Sequence, residues 1–442
     1  MNNLLSRYLL FYPSTILKGE PVPFFMRSYL DRQWISRSEL AGYQFTKIKN
    51  ILNYAYSNSA FYKKKYDGAG FDIHSFESLD DLKNIPTINK RDLIENIEDI
   101  SVKRHSFFSS SKTTGGSTGE PVKLYKNPFA LARERCATAR SYEWAGIKIG
   151  DPQLRFWGIP HSQSGSTKSH IIDLIANRKR ISAFNITDIS LKEYYEFAVS
   201  FKPVYIYGYV SVILVMADYM EKNQLPPLPS VAAVITTSEI LSMSSRLKIY
   251  RAFNVPVFNE YGCGEVGSIA HECESGSMHL MADNLFVEVE AGSNESGELI
   301  VTDFFNKASP LIRYRVGDYG RISGKQCPCG RSLPLIENIH GRAYDIITLP
   351  TGRKVHPEAI IYIFEDIQSN VKTFNQFQVV QESLEEITIN IIPNNRWGDA
   401  SRENLLKALA KNLSSNIKYS INLVSEIPRE KSGKMRLVKS KI

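Results

Sequence analysis

Between residues 113 and 121 the chain reads Thr113-Thr114-Gly115-Gly116-Ser117-Thr118-Gly119-Glu120-Pro121. Glycines bare the backbone N–H groups and small hydroxyls add donors, which is what a polyphosphate needs from a loop. The Gly-Lys-Ser/Thr ending of a P-loop ATPase is missing. Pro121-Val122-Lys123-Leu124-Tyr125 reads as a strand instead of the start of a helix. The loop therefore belongs to another kind of phosphate chemistry, and the residues downstream say which.

Five further motifs follow in order. Val234-Ile235-Thr236-Thr237-Ser238-Glu239 ends a β-rich run with polar residues, where α/β folds present their ligands. Tyr261-Gly262-Cys263-Gly264-Glu265 comes after the next strand; a ring there can cover a purine, and a carboxylate can hold Mg²⁺ against phosphates. Arg313-Tyr314-Arg315-Val316-Gly317-Asp318 offers a turn carboxylate suited to ribose hydroxyls. Gly341-Arg342-Ala343-Tyr344-Asp345 stands at an expected domain boundary, and the run Pro428 to Lys434 carries a lysine on a glycine-containing loop. Each alone reads equally well as an ordinary turn. Together, in this order, they form a pattern.

The cysteines point to a second kind of site. Cys327-Pro328-Cys329-Gly330 is a tight Cys-x-Cys turn, and Cys273 and His279 precede it with five residues between them. Three sulfurs and one imidazole make a complete tetrahedral zinc set, which would be closed and hence structural. His271 and Cys263 are rival ligands, although Cys263 lies inside the aromatic-glycine motif and reads better as a packed thiol.

The elements that must position these residues are those of a multidomain α/β protein. At 442 residues two or three domains are expected, and 43% hydrophobic with 23% charged residues is ordinary for a globular chain with a large core. Five cysteines in this length make no disulfide framework, so a reducing, cytoplasmic setting is expected. The apolar N-terminus is broken by Arg7, Pro13, Lys18 and Glu20, too early for a membrane span, and reads as packing with weak membrane-surface association open to it.

Helical periodicity covers 38–66, short helices 79–100, and a further helix 128–144. Strands at 204–208, 231–237 and 255–258 alternate with helices at 210–220 and 242–253, which predicts a largely parallel sheet. Short strands and turns from 285 to 322 predict a β subdomain. After 345 the pattern is hairpin, helix, strand, strand, helix, strand: a compact C-terminal α+β unit of about 100 residues. Residues 401–442 hold ten Lys/Arg against three Asp/Glu, so most of the net charge of +8 sits there. It reads as a basic lobe facing a polyphosphate; no nucleic-acid-binding pattern accompanies it.

In these motifs the chain resembles the adenylate-forming, acyl-CoA synthetase-like superfamily. Within it the segments Asn58-Ser59-Ala60-Phe61-Tyr62 and Leu79 to Ile88 are similar to the phenylacetate–CoA ligase and CapK capsular-polysaccharide branch. The resemblance implies a large N-terminal domain (1–343) and a small C-terminal lid (345–442). It implies activation of a carboxylic acid by ATP as an acyl-adenylate, then transfer to coenzyme A or an amine. Thr114, Ser117, Thr118 and Gly119 would hold the outer phosphates. Ser238 and Glu239 would lie along the adenine pocket, with Tyr261 stacked on the base. Glu265 would ligate Mg²⁺, Asp318 would bind the ribose with help from Arg342, and Lys434 would bridge carboxylate and α-phosphate. Some members of the branch carry structural zinc in a Cys…His…Cys-x-Cys order that this chain resembles. Phe156 to His161 and Tyr207-Gly208-Tyr209 fall where the superfamily builds its acyl pocket.

Four departures stand against that pattern: Gly115 in place of a serine, Glu120 in place of a basic residue, Gly264 in place of a threonine, and Tyr344 in place of an acidic or lysine residue at the hinge. Glu120 and Gly264 open one alternative to a ligase, a non-catalytic adenylate-fold binding protein; the basic charge opens another, a basic membrane-surface component of a polysaccharide assembly.

Overall fold

Ser36 opens the first long helix. Its hydroxyl accepts the Glu39 N–H at 3.2 Å, and the Glu39 carboxylate accepts the Ser36 N–H at 2.8 Å, so two orphan donors are satisfied at once. The helix Arg37–Asn58 buries Leu40, Ile48, Ile51, Leu52 and Ala55 on one face, as their spacing predicts. The expected helix over 38–66 is divided at Ser59, which leaves helical dihedrals and caps a second helix, Ala60–Gly68. The computed structural model describes residues 3–106, 109–114, 122–157, 163–183, 186–290, 297–340, 347–355, 357–370, 373–427 and 436–442.

β1 (Ser110–Thr114) and β2 (Val122–Lys126) pair antiparallel, with Thr114 opposite Val122. The glycine-rich residues 115–121 between them lie outside the described residues. After the helix Pro128–Trp144 come β3 (Gln153–Trp157), β4 (Arg178–Ser182), β5 (Tyr205–Tyr209), β6 (Ala233–Thr237) and β7 (Val257–Cys263), joined by the helices Gln163–Ile175, Asp188–Phe201, Val210–Lys222 and Met243–Phe253. Their mutual pairings are all parallel. The apolar run of β6 is buried from end to end, as a central parallel strand covered on both faces must be.

β8 (Gly267–Glu272), β9 (Met278–Leu280), β10 (Leu285–Glu290), β11 (Gly297–Asp303), β12 (Tyr314–Ser323) and β13 (Leu335–His340) pair antiparallel. The parallel strands and the β-rich stretch both form, and they join in one sheet of eleven strands, ordered β10-β11-β12-β13-β9-β8-β7-β6-β5-β3-β4. β7 is the seam: parallel to β6 on one side, antiparallel to β8 on the other.

The C-terminal stretch forms the hairpin β14 (Ile347–Thr348) and β15 (Lys354–Val355), the helix Pro357–Asn370, β16 (Phe374–Ser383), β17 (Glu386–Pro393), the helix Asp399–Asn412, β18 (Lys418–Leu423) and β19 (Val438–Ser440). Its sheet runs β18-β17-β16-β19; the predicted order holds as far as β18, and β19 is a further strand that the pattern did not show.

Two apolar cores hold these layers. One joins the N-terminal helices (Tyr29, Ile48, Tyr62) to the antiparallel half of the sheet (Leu299, Val301, Leu335). The other joins the parallel half (Leu154, Ile206, Val234) to the C-terminal unit (Phe364, Phe377, Leu405), where Phe364 stacks on Phe377 at 3.9 Å. Each fully buried Leu, Ile or Phe contributes about 1.5–3 kcal/mol, so both cores hold their layers firmly. Among the described residues, no helix is long and apolar enough to cross a membrane.

Candidate active site and metal centre

A cleft of about 850 Å³ opens where β5, β6 and β7 end, at the seam between parallel and antiparallel strands. Such a seam leaves strand ends uncovered by the next connection, and α/β sheets place ligands there. Leaving β6, Ser238 takes a left-handed backbone at φ 67° and turns the chain across the strand end. Glu239 follows and lines the cleft. Its carboxylate accepts the Ser211 N–H at 2.6 Å and the Ser211 hydroxyl at 2.8 Å, so it is tied to the first turn of the helix Val210–Lys222.

The aromatic-glycine motif lies differently from expectation. Instead of following the strand, its first three residues are the end of β7, whose register against β8 shifts at Tyr261 and Gly262. The reason is steric: a Cβ on Gly262 would meet the Gly267 carbonyl oxygen at 2.4 Å, so only glycine lets the two strands close here. The shift aims Tyr261 into the cleft, and its hydroxyl donates to Asp318 Oδ2 of β12 at 2.9 Å. Glu265 is buried in the turn that follows and lines the same cleft. Cys263 also lines it; burial, with the Glu265 charge beside it, pushes that thiol well above its ordinary range. Ser238, Glu239, Tyr261, Glu265 and Asp318 are thus brought together. Thr114 ends β1, and its side chain, with Ser117, Thr118, Gly119, Arg342 and Lys434, lies outside the described residues.

Two charged residues of the cleft escaped the motif reading. Glu260 accepts a hydrogen bond from Tyr142 Oη at 2.9 Å, and burial pushes its carboxyl up to about 7 against the pull of Tyr142 and Arg155. Arg155 on β3 lies against the Trp157 and Tyr207 rings, 4.5 and 4.7 Å from their centroids, which are themselves 5.8 Å apart. Lys126, wholly buried at the end of β2, pairs with Glu134 on the cleft wall at 2.6 Å, which ties the base of the hairpin to the site. The signals existed in sequence: an arginine at an inward position of an apolar strand, and a glutamate directly before the motif tyrosine. Neither sits in a motif, so neither drew a role.

The second site is built by two hairpin turns. Cys273 and His279 flank the turn from β8 to β9, and Cys327 and Cys329 lie in the turn between β12 and β13. β9 pairs with β13 at His279 and Leu335, so the sheet register sets the two turns side by side. All four ligand atoms fall within 4.8 Å of one another. Cys273 Sγ stands 3.6 Å from Cys327 Sγ, and Cys329 Sγ stands 3.2 Å from His279 Nε2. His279 Nδ1 lies 2.9 Å from the Leu333 carbonyl oxygen, which holds Nδ1 as the donor and leaves Nε2 bare toward the sulfurs. The rivals fall away: Cys263 is in the cleft, and His271 Nδ1 lies against the Glu272 carbonyl with its ring buried and kept neutral, its pKa lowered to about 4.

Residues 347–441 match the family profile of the CapK C-terminal domain. The protein CapK of Staphylococcus aureus is 25% identical over 410 residues, covering 90% of this chain and 89% of that protein. The phenylacetate–coenzyme A ligase of Thermus thermophilus is 23% identical over 447 residues, covering 91% of this chain and 97% of its own length. The chain is a homologue of CapK and the phenylacetate–coenzyme A ligases. Among solved structures, a 2-hydroxyisobutyryl-CoA ligase in complex with 2-HIB-AMP and CoA superposes with a TM-score of 0.63 at 20% identity, covering 92% of this chain and 91% of that one. An open conformation of the same ligase gives 0.60 at 19%. The fold is that of the acyl-CoA ligases, as the resemblance implied.

Proposed function

We propose that the chain is an AMP-forming acid ligase. A carboxylate oxygen attacks the α-phosphorus of ATP, the bond to the β-phosphate bridge breaks, and pyrophosphate leaves. A thiol, as in coenzyme A, or an amine then attacks the acyl carbon; the C–O bond to AMP breaks, AMP departs, and the acceptor gives up its proton. The observation that carries the reading is the convergence of Tyr261, Asp318 and Glu265 on one cleft at the sheet seam, with Tyr261 Oη on Asp318. Homology over nine-tenths of the chain supports it.

In this reading Thr114, Ser117, Thr118 and Gly119 hold the outer phosphates. Ser238 and Glu239 border the adenine, Tyr261 covers it, and Asp318 with Arg342 takes the ribose. Glu265 suits Mg²⁺: it is a carboxylate set in the cleft wall, and the ion supplies charge against the phosphates. Lys434 brings the two anions together. At about 4 Å and an effective dielectric near 20 their repulsion is on the order of 4 kcal/mol, which a lysine ammonium offsets. Residues 345–442 act as the lid that carries Lys434. Zinc suits the second site, whose three sulfurs and bare imidazole nitrogen match its soft tetrahedral preference, and Cys273, His279, Cys327 and Cys329 would hold it there as a structural ion. A role in surface polysaccharide assembly, implied by the CapK resemblance, would make an amino sugar the acceptor.

Hydroxylamine tests the chemistry, because it traps an acyl-adenylate as a hydroxamate and frees AMP. Lys434→Ala should lower hydroxamate formation about 100-fold with the fold intact. Unchanged trapping would remove the lysine from the reaction. Nucleotide binding without any trapped product would favour the non-catalytic alternative.

A further inference from the structure

The cleft has a polar end that the adenylation roles leave unused. From β7, which carries Tyr261, the sheet continues through β6 and β5 to β3. At about 4.8 Å per strand, three steps put the backbone of Arg155 roughly 14 Å from that of Tyr261, and two steps put it roughly 10 Å from the strand that leads to Ser238 and Glu239. Arg155 pairs in register with Tyr207 on β5, and both face the cleft with Trp157. Aromatic residues were expected here, and an aryl acid would suit them. The guanidinium changes that. The Trp157 and Tyr207 rings, whose centroids are 5.8 Å apart, pack against one side of it, and all three line the cleft. Its Nε is buried and meets no acceptor, and among the described residues Arg155 pairs with no carboxylate. The neighbouring acid, Glu260, is held by Tyr142 and makes no ion pair with it among those residues. Glu134, another carboxylate of the cleft, pairs with Lys126.

A half-buried guanidinium whose fork includes a buried Nε–H with no acceptor is costly, and a bound apolar acid would seal it from water without one. A carboxylate meets that fork with two parallel hydrogen bonds. Resting on the adenylation reading, we propose that Arg155 forms the far subsite of the acid pocket, and that the acid activated carries a second anionic group, a carboxylate or its equivalent, which pairs with that guanidinium. One carboxylate reaches the α-phosphate and the other is held by Arg155, so the acid is presented end-on. Glu260, held by Tyr142, lines the approach and adds a hydrogen-bonding group in place of apolar wall.

Matched acids separate this idea from the reading beneath it. ATP–pyrophosphate exchange is measured with adipate against hexanoate, and with 4-carboxyphenylacetate against phenylacetate. Calorimetric titration of the same acids reads binding whether or not adenylation follows. The dicarboxylates should exceed their partners by about 10- to 100-fold, the range of one charge-assisted pair. Arg155→Met should bring each pair within about twofold. Arg155→Lys, which keeps the charge without the fork, should fall between. Circular dichroism and AMP binding verify that each variant is folded. Preference for the monoacids, or a dicarboxylate preference that survives Arg155→Met, would overturn the subsite. Selective dicarboxylate binding with no exchange would uphold the subsite and reject adenylation instead.

Discussion

Glu260 shows how one buried carboxyl links the site to stability. Burial raises its pKa from the usual 4.5 to about 7, so the ionised form is disfavoured in the folded state. For an acid shifted upward, the stabilising contribution is complete below pH 4.5 and is lost as pH rises through about 7. At 1.36 kcal/mol per unit, the loss is on the order of 3 kcal/mol. Glu260→Gln keeps an acceptor for Tyr142 and removes the charge. Its Tm should match the wild type near pH 5 and exceed it at pH 8; parallel Tm–pH curves for the two proteins would contradict the assignment. At this scale the sequence was informative only where residues sat in motifs. Tyr261, Glu265 and Asp318 were legible because spacing and order marked them. Glu260 and Arg155 were not, since their importance comes from which face of which strand they occupy, and pairing across β3, β5, β6 and β7 is not written in any local pattern.

The element scale belongs to the hairpin turns. Zinc at Cys273, His279, Cys327 and Cys329 would bind the β8–β9 turn to the β12–β13 turn and so fix the antiparallel half of the sheet beside the cleft. Ligand binding that needs the folded turns adds directly to folding stability. Cys329→Ser should therefore lower zinc content from about one per chain to near zero and lower Tm by several degrees, as metal analysis and calorimetry would read. Purified protein without stoichiometric zinc under reducing conditions would remove the metal from the picture. The four candidate ligands could be named from the sequence because a Cys-x-Cys turn with a Cys…His pair upstream stands out, although Cys263 and His271 stayed rivals by residue type. The device that gathers them, the β9–β13 pairing, could not be foreseen from a three-residue strand. The helix Pro128–Trp144 lies where it was expected, whereas the break at Ser59 was missed because the apolar spacing continues across it.

Across the whole molecule, the sheet that begins parallel and ends antiparallel puts the residues proposed for the nucleotide at its seam and leaves the proposed acid pocket along the parallel strands. The C-terminal unit packs on the parallel half, and Ile361 and Tyr362 of its first helix reach the cleft. A unit so placed can cover the site or withdraw from it, and the lid proposal draws on that position. Element order predicted both halves; that they form one sheet depends on β7 pairing on both edges, a long-range event no short segment reports. All of this converges on one reaction, and exchange of labelled pyrophosphate into ATP reads it directly in the unmodified protein. Label should enter ATP only when a carboxylic acid and Mg²⁺ are present, with AMP released once an acceptor thiol or amine is added. ATP bound with no exchange for any acid, or acid-dependent release of ADP and phosphate in place of AMP and pyrophosphate, would contradict an acid-activating ligase.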